Sequence, residues 1–596
     1  MSLFIKRYKY PSGRIYCSIV DGYRENSKIK QKVVQKYGYL DELEEKYDDV
    51  EAYLASELSR LKEDRQKIFT LKIDRSINND FNDDTFMVGY AYLKTIFKEL
   101  DISTVLKSKQ YKTNIEYNLT KATELLTYSR ILNPGSIKYI HEHKGDFFEP
   151  FDLSLDDMYR CLIPLLDCKE EIFKTIWNST KNTYKRDAST SYYDCTNYYF
   201  EIEYDDEDLV DENNKIIKKG LRKRGPEKNN RKDPIVEMGL LLDKQGFPIS
   251  YNLFSGNTSE KETLVPELKK IKKRHNIDKV VVVADRGLNC SDNMIKTAGI
   301  DLDKKNRDGY VYGQSIRGAD KEFKQWVLKE DDYIVDTIID EDGNEVIFKH
   351  KSRVYPKKMT ITRDDLGLTK GGNKRKQTIT VDQKQMVYYS KKYADKQKKD
   401  RAMVIEKAKQ LIKCPSAYTK ATSYGAAGYI NNIKFDSKTG EILEGTSLSL
   451  DEDKIREEEK YDGYYSIVTS EENLSDIELR NIYKGLSKIE ETFKITKSEF
   501  NARPINVRLE DHIDAHFLIC FISLVIIRIL QAKIDNKYTI KVLLEKMKEF
   551  KCTHEVSNLY KFIGYKPEIQ YLNGICGINM DKKYDTRENI KKILKY

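Results

Sequence analysis

Asp285 closes the run KVVVVADRGLN, residues 279–289, in which four valines and an alanine lead straight into Asp-Arg-Gly. A charge buried in such a segment costs several kcal/mol unless it is paired or binds a cation, so an acid at the exit of an apolar strand usually faces an opening or a metal. Asp194, within STSYYDCTNYYFEIEYD, sits in a second strand-like segment rich in Tyr, Phe and Thr. Each acid also has an ordinary reading. Asp194 could start a turn, and Asp285 could salt-bridge Arg286 or cap the following helix. A third acid, Glu490, lies between Tyr483 and Lys497 at spacings of seven, which puts all three on one face of a helix. A hydroxyl, a carboxylate and an ammonium on one face suit metal and phosphate contact, although a solvated face is the usual reason for charges on so polar a helix.

The elements that must position these residues follow from periodicity. After the Asp194 segment, IVEMGLLLD and PISYNLF read as two strands joined at Gln245-Gly246, then KETLVPELKKIKKRH as a helix leading into the valine strand, and NMIKTAG as another helix. Antiparallel strands followed by one reached through a helical crossover predict an α/β mixed sheet with flanking helices. Beyond residue 300, DYIVDTIID and EVIFKHK meet at Asp342-Gly343, and YINNIKFD and EILEG meet around Lys438-Thr439-Gly440. One strongly basic helix, YSKKYADKQKKDRAMVIEKAKQLI, interrupts this β-rich stretch. The chain then returns to a strand, YYSIVTS, and a long helix, LSDIELRNIYKGLSKIEETFKITKSEF. Upstream, SLFIKRYKY and RIYCSIVDGY predict a hairpin around Pro11-Ser12-Gly13, followed by a charged helix from Asp41 to Arg65 and a mostly helical N-terminal domain.

At 596 residues the chain is too long for a single hydrophobic core. A composition of 39% hydrophobic and 34% charged residues with 12 prolines excludes low-complexity disorder. The charge of +9 is a mild excess compatible with a polyanionic partner, but alone it selects none. KIIKKGLRKRGPEKNNRKD, residues 215–233, concentrates positive charge at Arg222, Lys223 and Arg224, as a solvated loop or one that contacts phosphate. The nine cysteines lack zinc-site spacing and disulfide density, which predicts reduced thiols in the cytoplasm. The N-terminus has no apolar core of a signal peptide, and FLICFISLVII is too short to span a bilayer, so a buried helix and no membrane are expected.

Taken in order, YYDCTNYYFE, GLLLDKQGFPISYNLFSGNTSE, VVVADRGLN and YKGLSKIEETFKITKSEFNARPINV resemble the DDE transposases of bacterial insertion sequences, in the insertion-sequence-four superfamily. The resemblance runs from about residue 189 to 531. It implies a ribonuclease-H-like fold with acids on the first strand, the fourth strand and a late helix, here Asp194, Asp285 and Glu490. The family signature Y-x2-R-x3-E-x6-K falls on Tyr483, Leu486, Glu490 and Lys497. Leucine replaces the arginine, whose phosphate contact would then come from elsewhere, such as Arg480 or Lys488. This leucine and RPINV, residues 503–507, look more like the branch named after insertion sequence 1634.

What the resemblance implies is a nucleoid-associated cytoplasmic enzyme that cleaves and joins DNA. The three carboxylates would be catalytic and hold two Mg²⁺ ions, with Mn²⁺ as substitute. Tyr483, Lys497, Arg286 and the Arg222–Arg224 loop would contact DNA. The partners would be terminal inverted repeats, target DNA and a second copy in a synaptic complex. Some family members stack a flipped base on an aromatic of the β insertion; Trp326 occupies that region, though a core tryptophan is the better reading. The expected organisation is an N-terminal hairpin and charged helix (1–70), a helical, possible DNA-end-binding domain (71–187), the core in two parts (188–300 and 471–535) around a β-rich insertion (301–470), and a helical C-terminal region (536–596). Two other readings use the same residues: an inactive DNA-binding protein of transposase descent, and a ribonuclease-H-like nuclease.

Overall fold

The computed structural model describes residues 2–25, 28–67, 85–226, 232–275, 277–298, 307–339, 343, 345–369, 374–420, 422–423, 425–436, 439–443, 447–556 and 558–595. The chain divides into two compact units, residues 1–83 and 84–596. In the first, Ser2–Lys9 and Ile15–Glu25 form the expected hairpin, turning at Gly13 with φ of 86°. A third strand, Lys28–Tyr39, joins them in an antiparallel sheet. The charged helix is split into Leu40–Glu44 and Val50–Lys67, because Asp49 accepts from the Ala52 N–H at 2.9 Å and starts the second helix afresh. Cys17, with Ile5 and Tyr37 beside it, packs on Leu43, Val50 and Leu54 from the helices.

The second unit is built on a mixed sheet with nine described strands. Their order is Ile334–Ile339, Glu345–Leu368, Lys374–Tyr389, Tyr464–Thr469, Gly309–Gln314, Val281–Ala284, Thr190–Tyr199, Ile235–Leu242 and Pro248–Ser255. The valine strand lies parallel to both neighbours, and every other pairing is antiparallel. Five of the nine strands fall within 301–470, so the β-rich stretch continues the core sheet. The turns at Asp342 and Lys438 and the loop segment 227–231 lie outside the described residues.

Alternation along the central strands separates two cores. Tyr192, Tyr198, Val283 and Val311 face one, while Tyr193, Cys195, Val282 and Tyr312 face the other. The first core is centred on the helix Glu510–Lys533, which packs on helices Leu119–Leu132 and Leu162–Asp167 and on strand Pro248–Ser255. That helix is 24 residues, longer than its apolar run suggested and long enough to cross a bilayer. Even so, 89% of its most apolar stretch is buried inside the protein. The expected helical region 536–596 holds helices Ile540–Glu549, Pro567–Cys576 and Arg587–Leu594, and between them strands Lys551–Val556, Leu559–Ile563 and Tyr584–Thr586, which join a second sheet whose edge partner, next to Lys551–Val556, is Thr85–Met87. Buried Tyr560 and Phe562 alternate with the more exposed Leu559, Lys561 and Ile563, a strand period that the surrounding helices obscured.

A buried ion pair ties the entry of the Asp194 strand to this frame. Arg186 Nε lies 2.6 Å from Asp243 Oδ2, with both side chains almost fully buried. Asp243 also accepts from the Gly246 and Phe247 N–H groups at 2.9 and 2.8 Å, closing the Gln245-Gly246 turn. Burial pushes the Asp243 carboxyl up, against the pull of Arg186. Asp243→Ala strands a buried guanidinium and should destabilise the unit by about 3–5 kcal/mol, read as a lowered midpoint in denaturant unfolding.

Candidate active site

Parallel pairing sets the two strand acids side by side. The register matches Val281 with Thr190, Val282 with Ser191 and Val283 with Tyr192. Continued by two residues, it brings Asp285, just past the end of its strand, level with Asp194 in the middle of the neighbouring one, about 4.8 Å apart in the pairing direction. Both follow the parity of Tyr192 and Val283 and therefore project from the same face. Neither is deeply buried. The Cys195 N–H donates to Asp194 at 2.8 Å, and the Gly287 N–H donates to Asp285 at 2.7 Å. The loop after Asp285 is fixed by Asn289, whose amide donates to the Gly313 carbonyl at 2.7 Å.

The long helix expected over this face is broken into Asp476–Lys484, Ser487–Lys494 and a π-helical turn Ile495–Glu499. Gly485 permits the break: a Cβ there would strike the Tyr192 ring, whose Cε1 would be 2.9 Å away. The Lys488 ammonium stands 5.7 Å from the centre of that same ring. Further on, Thr496 and Tyr198 share a hydroxyl contact of 2.8 Å, and Lys497 Nζ donates to Thr196 Oγ1. The segment thus runs along the Asp194 strand, touching Tyr192 before Asp194 and Thr196 and Tyr198 after it. Glu490 lies between those contacts in the sequence, exposed in the first turn of its helix.

Asp476 anchors the start of this segment. It lies 2.9 Å from Lys384 Nζ and 2.8 Å from His350 Nδ1, while His350 Nε2 lies 3.0 Å from Asp336. Burial raises the Asp476 carboxyl, but the Lys384, His350 and Ser352 contacts outweigh it and hold it below the usual range.

Half-buried Tyr483 rests on Gly313 of the neighbouring strand. A Cβ at Gly313 would meet the Tyr483 hydroxyl and lie 2.9 Å from Arg286 Cγ, so the glycine leaves room for both side chains. The Tyr483 phenol is raised to about 12, first by burial and then by Asp285 and Glu490, with Arg286 opposing. Its environment therefore senses two of the three acids and the arginine together. Arg286 and Tyr483 also line a cleft of about 60 Å³ with Tyr393, Tyr465 and Arg317.

Other expected contacts go elsewhere. Arg222 pairs with Asp206 at 2.6 Å, Lys223 with Asp208 at 2.9 Å and Arg224 with Asp205 at 3.3 Å, so acids upstream occupy these three cations of the basic loop. Leu486 is buried in the core. Arg480 stacks 5.1 Å over Phe348, and Lys488 donates to the Lys244 carbonyl at 2.7 Å, so each has a partner within the chain. Trp326 is half-buried, with the Arg353 guanidinium 4.5 Å over its ring.

Among the described residues, no three His, Cys, Asp or Glu side chains stand together closely enough to hold a metal ion. The donor chemistry of the level pair, carboxylate oxygens only, nevertheless suits a hard divalent cation. A further acid, Glu260, was missed as a site residue although it ends the quoted SGNTSE. Its Oε2 and Asp285 Oδ1 both lie 3.0 Å from the point where a Gly287 side chain would begin. Only a fold that returns this loop to the strand end brings them close.

Residues 5–70 match the family model of the IS1634 family transposase, N-terminal domain. This match supports a transposase of the IS1634 branch. No curated protein matches the chain.

Because the folded-state pKa of Tyr483 is raised from 10, its contribution to stability is complete below pH 10 and lost as pH rises through about 12. The difference in unfolding free energy between wild type and Tyr483→Phe should therefore shift against wild type over that interval. A pH-independent difference would mean that the phenol titrates alike in both states.

Proposed function

We propose that the chain is a DNA transposase that binds the ends of its element and carries out metal-dependent strand cleavage and strand transfer on a ribonuclease-H-like core. The observation that carries this reading is the level pair Asp194 and Asp285 on adjacent parallel strands, with the Glu490 segment running along the same face. Among the strands of the nine-stranded sheet taken in chain order from Thr190, acids on the first and at the end of the fourth, and then on a late helix, support the ribonuclease-H-like assignment. The family match over residues 5–70 supports the transposase class independently, since it involves none of these acids.

Asp194 and Asp285 would hold Mg²⁺, with Mn²⁺ as substitute, and Glu490 would complete the set by approaching them. Bound there, two ions would activate the attacking oxygen and stabilise the leaving one. The chain's own residues supply the surroundings. Lys497, held by Thr196 two residues along the strand from Asp194, brings an ammonium within about 7 Å of that carboxylate, where it offsets charge on a phosphate undergoing substitution. Arg286, beside Asp285 and propped by Gly313, offers a second phosphate contact. Neutral Tyr483 donates its hydroxyl without adding negative charge next to Asp285. In this reading two copies would act together on paired ends.

A second reading, an inactive DNA-binding protein of transposase descent, is favoured by one observation: the lack of a three-carboxylate cluster among the described residues. One experiment separates the two. With Mg²⁺ or Mn²⁺ the purified chain should nick or cut duplex carrying its own element's ends. Asp285→Ala should abolish cutting at unchanged thermal midpoint, and Lys497→Ala should slow it by about 10²-fold. End binding with no cutting by the wild type would sustain the second reading, and transfer into a target plasmid would exclude a plain nuclease.

A further inference from the structure

The N-terminal unit separates its charge by layer. Residues 2–39, which form the sheet, carry nine Lys or Arg against two Asp or Glu, a net of +7. Residues 40–67, which form the helices, carry five against ten, a net of −5. The ladder places each side chain. One face presents Ile5, Cys17 and Tyr37 to the helices. The other carries three registered rows, Phe4–Val20–Val33, Lys6–Ser18–Lys36 and Tyr8–Tyr16–Tyr39, whose central Val20 and Ser18 are buried between exposed outer residues such as Phe4, Val33, Lys6 and Lys36.

Two arginines of the sheet layer are taken up locally, and the Arg14 guanidinium also stacks 3.9 Å over the Tyr39 ring. Arg7 pairs with Glu51, and Arg14 pairs with Asp41 at 2.8 Å and Glu42 at 2.7 Å. Lys6 and Lys36 are exposed and have no ion-pair partner among the described residues; Lys6 donates only to the neutral amide of Gln31 at 2.7 Å. Phe4, Tyr8 and Val33 are 36%, 55% and 48% exposed, an unusual outlay of apolar surface beside lysines. Tyr10 joins the tyrosine row, 4.9 Å from Tyr8 and 6.0 Å from Tyr39 between ring centres.

We propose that this sheet face is a docking surface for duplex DNA, with Lys6 and Lys36 on phosphates and the Tyr8–Tyr16–Tyr39 row against sugars and base edges. Charge complementarity selects the partner: a polyanion is drawn to the basic sheet and repelled by the acidic helices, which orients the unit on it. Three strands span about 10 Å, within the roughly 12 Å width of the DNA major groove, into which β-ribbons of other proteins fit. The proposal rests on the DNA reading above but assigns end contact to the sheet, ahead of the helical layer that follows it in the chain.

The test uses the full-length protein and a random-sequence duplex longer than one helical turn, with binding measured across a sodium chloride series. Lys6→Ala with Lys36→Ala should reduce the slope of log K against log salt by about 1.8, because two phosphate contacts are lost. Tyr8→Ala should weaken binding at every salt concentration without changing the slope. Lys46→Ala with Lys62→Ala, in the helical layer, should leave both unchanged. If the alanine pair melts early, Lys6→Gln with Lys36→Gln keeps most of each stem and is expected to give the same slope change. An unaltered slope overturns the sheet as the docking surface, and so does single-stranded oligonucleotide displacing the duplex at equal concentration. Either result alongside intact cleavage leaves the transposase reading standing, whereas duplex binding through the sheet with no cleavage overturns only the enzyme.

Discussion

Asp194 and Asp285 reach the same sheet edge because the valine strand is sealed on both faces. Val282, Val283 and Ala284 have no solvent exposure, and parallel neighbours occupy both sides of the strand. A carboxylate anywhere within it would have to be desolvated at a cost of several kcal/mol. The first position at which an acid is tolerated is the exit, which parallel pairing places level with Asp194. Asp194 itself lies within its strand and escapes that cost because its face is open between the points where the Glu490 segment touches Tyr192 and Thr196. The same burial that holds the sheet together makes the acid pair rigid, and rigid carboxylates are what a metal-binding edge requires.

The helical segment gives up regularity to lie on this strand. At the break, any side chain at 485 would run into Tyr192, so the chain uses glycine there, at a cost of about 0.5–1 kcal/mol relative to alanine in a helix. Beyond Glu490 it widens into a π turn, and both Thr496 and Lys497 reach the strand from that turn. The spacing of seven between Tyr483, Glu490 and Lys497 therefore describes their order along the sheet better than a shared face of one straight helix. Tyr483 and Lys497 engage the strands while Glu490 stays exposed, which is why the third acid is not gathered with the other two.

Local patterns made much of this legible. The four valines, the alternation through the Asp194 strand and the Gln245-Gly246 turn are short-range signals, and each element appears where they put it. What the sequence hid is non-local. The third N-terminal strand depends on partners in the hairpin, and the strand Lys551–Val556 pairs with Thr85–Met87, more than 450 residues upstream. Gly485 could have been read as a helix break, but its reason, the Tyr192 ring, lies almost 300 residues earlier. Glu260 stood within a quoted motif, and no periodicity could have shown that its loop returns to Asp285.

Positive charge follows the same rule. A count over residues 215–233 singles out a basic loop, yet Asp205, Asp206 and Asp208 occupy its three central cations. A strong contact to phosphate there must first break a pair, and exchanging one ionic partner for another gains little. The overall charge of +9 is equally uninformative, because it averages a sheet of +7 with helices of −5 in a single small unit. Attraction for a polyanion depends on cations lacking an acid within reach, and only coordinates reveal which those are. By that criterion Lys6 and Lys36 of the N-terminal sheet, which have no acid partner among the described residues, are better placed to meet a polyanion than Arg222, Lys223 and Arg224.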